Sequence, residues 1–98
     1  DLNSTSDKNL KYDIRKVENS ISLLNEINGV EFKWKSNDKP SIGVIAQEVE
    51  KVLPELIGGG ETKSVNYNGL IGVLIEAVKT QQTQIDELNA RIERLENN

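Results

Sequence analysis

The chain contains no cysteine and no histidine among its 98 residues. It therefore lacks the thiolate and imidazole ligands on which zinc sites and disulfide-stabilised small domains depend. Cys-His pairs and Ser-His-Asp triads are excluded for the same reason, so a general base has to be a carboxylate, a lysine or a tyrosine. We predict no metal and no cofactor.

Excess basic charge and long apolar runs are also missing. Twelve basic and sixteen acidic residues give a net charge of −4, and no basic face is apparent, so no nucleic-acid partner is expected. No run is long enough to cross a membrane and no signal peptide is visible; we expect no membrane partner and no small-molecule substrate. Because a core of this size is thin, self-association is the remaining common source of stability.

The order of patterns predicts an α+β domain. Residues 1–5 are interpreted as a linker from an upstream part of a longer protein, residues 6–69 as the domain, and residues 70–98 as an oligomerisation helix. A helix is predicted from an N-cap at Asp13 to Asn28-Gly29, followed by a strand that alternates inward Val30, Phe32 and Trp34 with lysines and Glu31. A second strand at 42–45, a short helix at 46–53 ended by Pro54, and a hairpin around 56–67 complete the domain.

The final helix, with Asn68 as its predicted cap, carries apolar residues at alternating spacings of three and four. This heptad pattern is typical of a coiled coil, and one polar position within it would fix the register. β-branched residues at the first heptad position with leucine at the fourth favour two strands, so the periodicity alone does not predict a trimer. The predicted oligomerisation residues are Ile71, Leu74, Val78, Gln81, Ile85, Leu88, Ile92 and Leu95.

Near the start of the chain, Ser6 and Lys11 are candidates for a nucleophile and its base. Five residues apart, they would not meet on one helix face or on one strand face. Either a turn lies between them or the amine comes from another subunit. A lysine is almost entirely protonated at neutral pH, so it acts as a base only where burial or nearby positive charge, such as Lys8 or Arg15, favours the neutral amine.

Several separated motifs resemble the C-terminal intramolecular chaperone domain of phage tail spikes, tail fibres and neck appendages, the endosialidase-type self-cleaving serine peptidase family. This family also includes the membrane-anchored myelin regulatory factors. The resemblance covers residues 6 to about 78. The matching motifs are Ser6-Asp7-x-x-Leu10-Lys11, Gly29-Val30-x-Phe32-x-Trp34-Lys35, Gly43 to Glu50, Leu53 to Leu56, Lys63 to Tyr67 and Leu70-Ile71.

The resemblance implies a homotrimer that assists the folding of an upstream fibre or spike in the host cytoplasm during virion assembly. It further implies that Ser6 attacks the carbonyl of Thr5, with Lys11 as base in a Ser-Lys dyad, and that cleavage of the Thr5–Ser6 bond releases the domain from the mature fibre. Asp7 would position the intervening turn, and Gln47 would support the cleavage site. Ser4 is a weaker candidate nucleophile.

Two alternatives belong to other functional classes. The first is a structural trimerisation cap that stays on its fibre. The second is the auto-processing region of a membrane-anchored transcription factor. Whether the reaction passes through an ester or by direct attack, and whether Lys11 serves its own chain or a neighbour, is left open by the sequence.

Overall fold

A computed structural model describes residues 4–98. In chain order it contains a 3-10 turn at Lys8–Leu10, helix α1 (Ser20–Asn25), strands β1 (Val30–Lys33) and β2 (Pro40–Gly43), and helix α2 (Ala46–Val52). A second 3-10 turn (Pro54–Leu56), strands β3 (Ile57–Gly59) and β4 (Lys63–Val65) and helix α3 (Tyr67–Glu96) follow. The predicted α+β class is confirmed. No helix of this described part is long and apolar enough to cross a bilayer.

Helix α1 is much shorter than the sequence pattern predicts. Asp13 and Asn19 have φ angles of 54° and 58°, and Asn19, not Asp13, occupies the N-cap position. Left-handed residues interrupt the hydrogen-bond ladder of a right-handed helix, so the helical spacing upstream of Ser20 does not produce a helix. The predicted end at Asn28-Gly29 is wrong as well, because the helix ends at Asn25, and Gly29 is not left-handed: Gly59 is the one described glycine with a positive φ.

Strands β1 and β2 form an antiparallel hairpin in which Val30 pairs with Gly43 and Lys33 with Pro40. Phe32 is half-buried, whereas Trp34 lies after the strand and is 54% exposed. The prediction of an inward Trp34 is therefore wrong in the single chain. The described residues leave about half of the indole uncovered, and it contacts Phe32 edge-on, with ring centroids 4.9 Å apart.

Strands β3 and β4 form the second predicted hairpin, with Ile57 opposite Val65. Gly59 adopts φ 81° in its turn, and a Cβ at this position would collide with the carbonyl oxygen of Thr62. Glycine alone satisfies both conditions without strain. Two polar contacts join neighbouring segments to α2. Lys63 of β4 forms a salt bridge with Glu50 at 2.9 Å, and the backbone N–H of Asn28, before β1, donates to the Glu48 carboxylate at 3.1 Å.

The core lies between α2 and the first turns of α3. Val49 from α2 and Leu53, the residue after this helix, pack with Leu70 and Val73 from α3. Half-buried aliphatic residues from α1, α2, the second 3-10 turn, the second hairpin and the connecting segments surround them: Leu23, Leu24, Ile27, Val44, Val52, Leu56, Ile57 and Val65. This small core fixes where α3 begins relative to the rest of the domain.

Candidate functional site

A local turn brings Ser6 and Lys11 together. The Asp7 carboxylate accepts a hydrogen bond from the Asn9 backbone N–H at 2.9 Å and so caps the 3-10 turn. The Asp7 carbonyl accepts from Leu10 N–H at 3.0 Å. At the end of this turn Lys11 Nζ lies 2.7 Å from Ser6 Oγ. Of the two arrangements left open by the spacing, the structure has the turn within one chain.

The two side chains are exposed to water in the single chain. Every residue from Ser4 to Lys11 is exposed. Arg15 forms a loose ion pair with Asp13 at 3.7 Å, and both side chains are mostly solvent-accessible. Such an exposed pair contributes little to the stability of the fold. Neither Arg15 nor Lys8 lines the cavity beside Ser6. The described chain thus supplies the contact between alcohol and amine but does not exclude water from it.

The bond between Thr5 and Ser6 lies beside the start of α3. An open cavity of about 640 Å³ is lined by Ser4, Thr5, Ser6 and Lys11 on one side and by Asn66, Asn68 and Gly69 on the other. A Cβ at Gly69 would collide with Leu56, so α3 begins in close contact with the second 3-10 turn. The core therefore fixes the position of the first turn of α3, which lies beside the segment that contains the predicted cleavage site.

The side chains of the two asparagines at the start of α3 make different hydrogen bonds. Asn66 is the N-cap, and its Oδ1 accepts from the Gly69 backbone N–H at 3.2 Å. The predicted cap, Asn68, lies one position inside the helix. Its Nδ2 donates to Ser4 Oγ at 2.7 Å. A side chain at the N-cap accepts a hydrogen bond from a free backbone N–H of the first turn. Because Asn66 has this role, the side chain of Asn68 is not the cap, and its amide donates to Ser4 instead.

Gln47 does not lie beside Ser6. It is the exposed second residue of α2, and it lines a different cavity together with Phe32, Trp34 and Tyr67. Asp7, by contrast, stands in the turn between Ser6 and Lys11. The sequence does not predict Asn68 as a neighbour of the segment that contains the predicted cleavage site, because the contact joins distant parts of the chain.

The predicted oligomerisation stripe on α3 is uncovered. From Val78 onward every residue of the helix is exposed, although an adjacent face of its first turns buries Leu70, Val73 and Ala77. Gln81 is exposed like its neighbours. The aliphatic members of the stripe are about half or more exposed: Ile71, Leu74, Val78, Ile85, Leu88, Ile92 and Leu95.

The sequence of the domain matches a family of known proteins. The model of the peptidase family described as chaperone of endosialidase matches residues 6–58. The match begins at Ser6 and covers more than half of the chain. The chain belongs to this family.

Relatives with similar sequences are fibre proteins of bacteriophages. The long tail fiber protein Gp37 of Salmonella phage S16 is 35% identical over 108 residues, which cover 97% of this chain and 14% of that protein. The protein of the same name from Escherichia phage AR1 is 40% identical over 90 residues, covering 80% and 8%. A third, from Enterobacteria phage K3, is 29% identical. The chain thus spans a small fraction of the length of these relatives.

Proposed function

We propose that this chain is the C-terminal intramolecular chaperone of a phage tail fibre, that it acts as a homotrimer, and that it releases itself by cutting the Thr5–Ser6 bond. The observation that carries the proposal is the 2.7 Å separation of Lys11 Nζ and Ser6 Oγ. The family match supports the chaperone class, and the fibre relatives support the nature of the upstream partner.

In the proposed reaction the neutral amine of Lys11 takes the hydroxyl proton of Ser6. Ser6 Oγ forms a bond to the carbonyl carbon of Thr5, and the C–N bond to Ser6 breaks. Lys11 returns the proton to the departing amine. Water then hydrolyses the ester, so the products are a Thr5 carboxylate and a chain that begins with the free amine of Ser6. The domain turns over once, on its own backbone.

In this proposal, assembly of the trimer excludes water from the contact between Ser6 and Lys11, which the single chain does not do. An exposed lysine is a poor base because water stabilises its charged form. Packing of neighbouring copies around residues 4–11 would desolvate the amine and favour its neutral form. Cleavage would then follow correct assembly, which prevents premature loss of the chaperone. In this scheme Lys11 serves the Ser6 of its own chain, while the neighbours exclude water.

The chaperone effect follows from α3. Three helices that associate through their aliphatic stripes hold three upstream fibre chains close together, which raises their effective concentration for one another. The three fibre chains then fold together as parts of one assembly, and they need not meet by diffusion as separate chains during virion assembly in the host. After cleavage the fibre has lost the element that assembled it, so its persistence depends on a slow unfolding rate.

Expression of the full-length fibre tests the proposal. The wild type should give two bands on a denaturing gel, and the smaller fragment should begin at Ser6 by N-terminal sequencing. Ser6→Ala should give one band, whereas Ser22→Ala, at an exposed serine of α1, should give two. A smaller fragment that begins at Ser4 would identify Ser4 as the nucleophile and overturn the assignment of Ser6. One band from every protein would show a trimerisation cap that stays on its fibre.

A further inference from the structure

The segment before the cleavage site is tied to α3 by one side-chain contact. Asn68 Nδ2 donates to Ser4 Oγ at 2.7 Å across 64 positions of sequence. The other hydrogen bonds that residues 4–11 make in the described chain lie within the segment itself. This contact therefore sets where the Thr5 carbonyl lies relative to the helical body.

We infer that Asn68 is a positioning residue for self-cleavage, holding Ser4 so that the Thr5 carbonyl stays within reach of Ser6; this inference rests on the proposed function. The scissile bond then lies between two tethers. Lys11 contacts Ser6 on the C-terminal side, and Asn68 contacts Ser4 on the N-terminal side. Fixing both sides of an exposed peptide removes conformations in which the alcohol and the carbonyl do not meet, which raises the rate of an intramolecular attack.

The positioning role is separable from the stability of α3. The helix is capped by Asn66, whose Oδ1 accepts from Gly69. Asn68 is exposed, so its removal leaves both the cap and the buried core residues in place. Ser4 is likewise exposed and outside any helix or strand. Substitutions at these two positions therefore test the contact rather than the fold.

The experiment measures cleavage rates of full-length fibre variants. Asn68→Ala and Ser4→Ala are each expected to slow cleavage about three- to tenfold, which is the range that one net hydrogen bond gives when converted to a rate. The double variant should be no slower than either single variant, because both remove the same contact. Ser4→Thr keeps the hydroxyl and should restore cleavage to within about twofold of wild type.

Matched controls separate positioning from general damage. Asn25→Ala and Ser22→Ala change exposed residues of α1 and should cleave like wild type. Circular dichroism of Asn68→Ala, made in a Ser6→Ala background, should show unchanged helix content. Wild-type rates for Asn68→Ala and Ser4→Ala, or slowing in the double variant equal to the product of the single effects, would overturn the inference. If wild type itself stays uncleaved, the proposed function fails and takes this inference with it.

Discussion

The uncovered stripe of α3 predicts that a single charged residue within it disrupts assembly. Leu88 is 55% exposed in the isolated chain. Full burial of a leucine contributes about 1.5–3 kcal/mol, so covering the remaining half contributes roughly 0.8–1.7 kcal/mol per chain. One layer of three leucines then stabilises a trimer by about 2–5 kcal/mol. Leu88→Lys removes this contribution and places three like charges together.

A loss of this size weakens trimer association by roughly 30-fold to several thousandfold, since each 1.4 kcal/mol is a factor of ten. Sedimentation equilibrium over a range of chain concentrations measures the shift directly. Ala90→Lys is the matched control, because Ala90 is also exposed but lies off the heptad stripe, about 200° around the helix from Leu88. If Leu88→Lys assembles like wild type, or if both variants dissociate alike, the stripe is not the interface.

Three further variants test the base, the core and the helix cap. Lys11→Arg keeps the positive charge but cannot supply a neutral base, so cleavage should stop while sedimentation still reports the trimer; a cleaved product would exclude Lys11 as base. Leu70→Ala, at a side chain only 6% exposed, should lower the free energy of unfolding in urea by about 2–5 kcal/mol, and a loss below 1 kcal/mol would show that this site is not packed. Asn66→Ala should lower the free energy of unfolding by about 0.5–2 kcal/mol, whereas an unchanged midpoint of urea unfolding would show that Asn66 does not cap the helix.

The elements that the sequence predicts well are those governed by neighbouring residues. Pro54 ends α2 because the residue before a proline avoids the helical region. The glycine-rich segment forms the hairpin because only glycine suits the conformation of Gly59. The stripe on α3 repeats often enough for its period to be unambiguous. None of these features requires knowledge of distant contacts.

The predictions that fail, and the features that the spacing leaves open, are not decided by patterns of neighbouring residues. The apolar spacing from Ile14 to Ile27 predicts one long helix, but left-handed Asp13 and Asn19 leave only Ser20–Asn25 helical. Trp34 suits a buried strand, yet the described residues leave about half of the indole uncovered. For the site, the turn between Ser6 and Lys11 was one of two options that the spacing allowed. The contact between Asn68 and Ser4 spans nearly two thirds of the chain and has no local pattern.

Helix α3 connects the proposed cleavage site with the stripe. Its first turn carries Asn66, Asn68 and Gly69 at the cavity beside the Thr5–Ser6 bond, and its last turns carry the uncovered aliphatic residues. A continuous helix of 30 residues is about 45 Å long and is stiff along its axis. When three such helices associate, the orientation of the stripe fixes the orientation of their first turns. In the proposed trimer the three sites would therefore face the bundle in a defined way, and we expect a change of heptad register to alter cleavage without any substitution near Ser6.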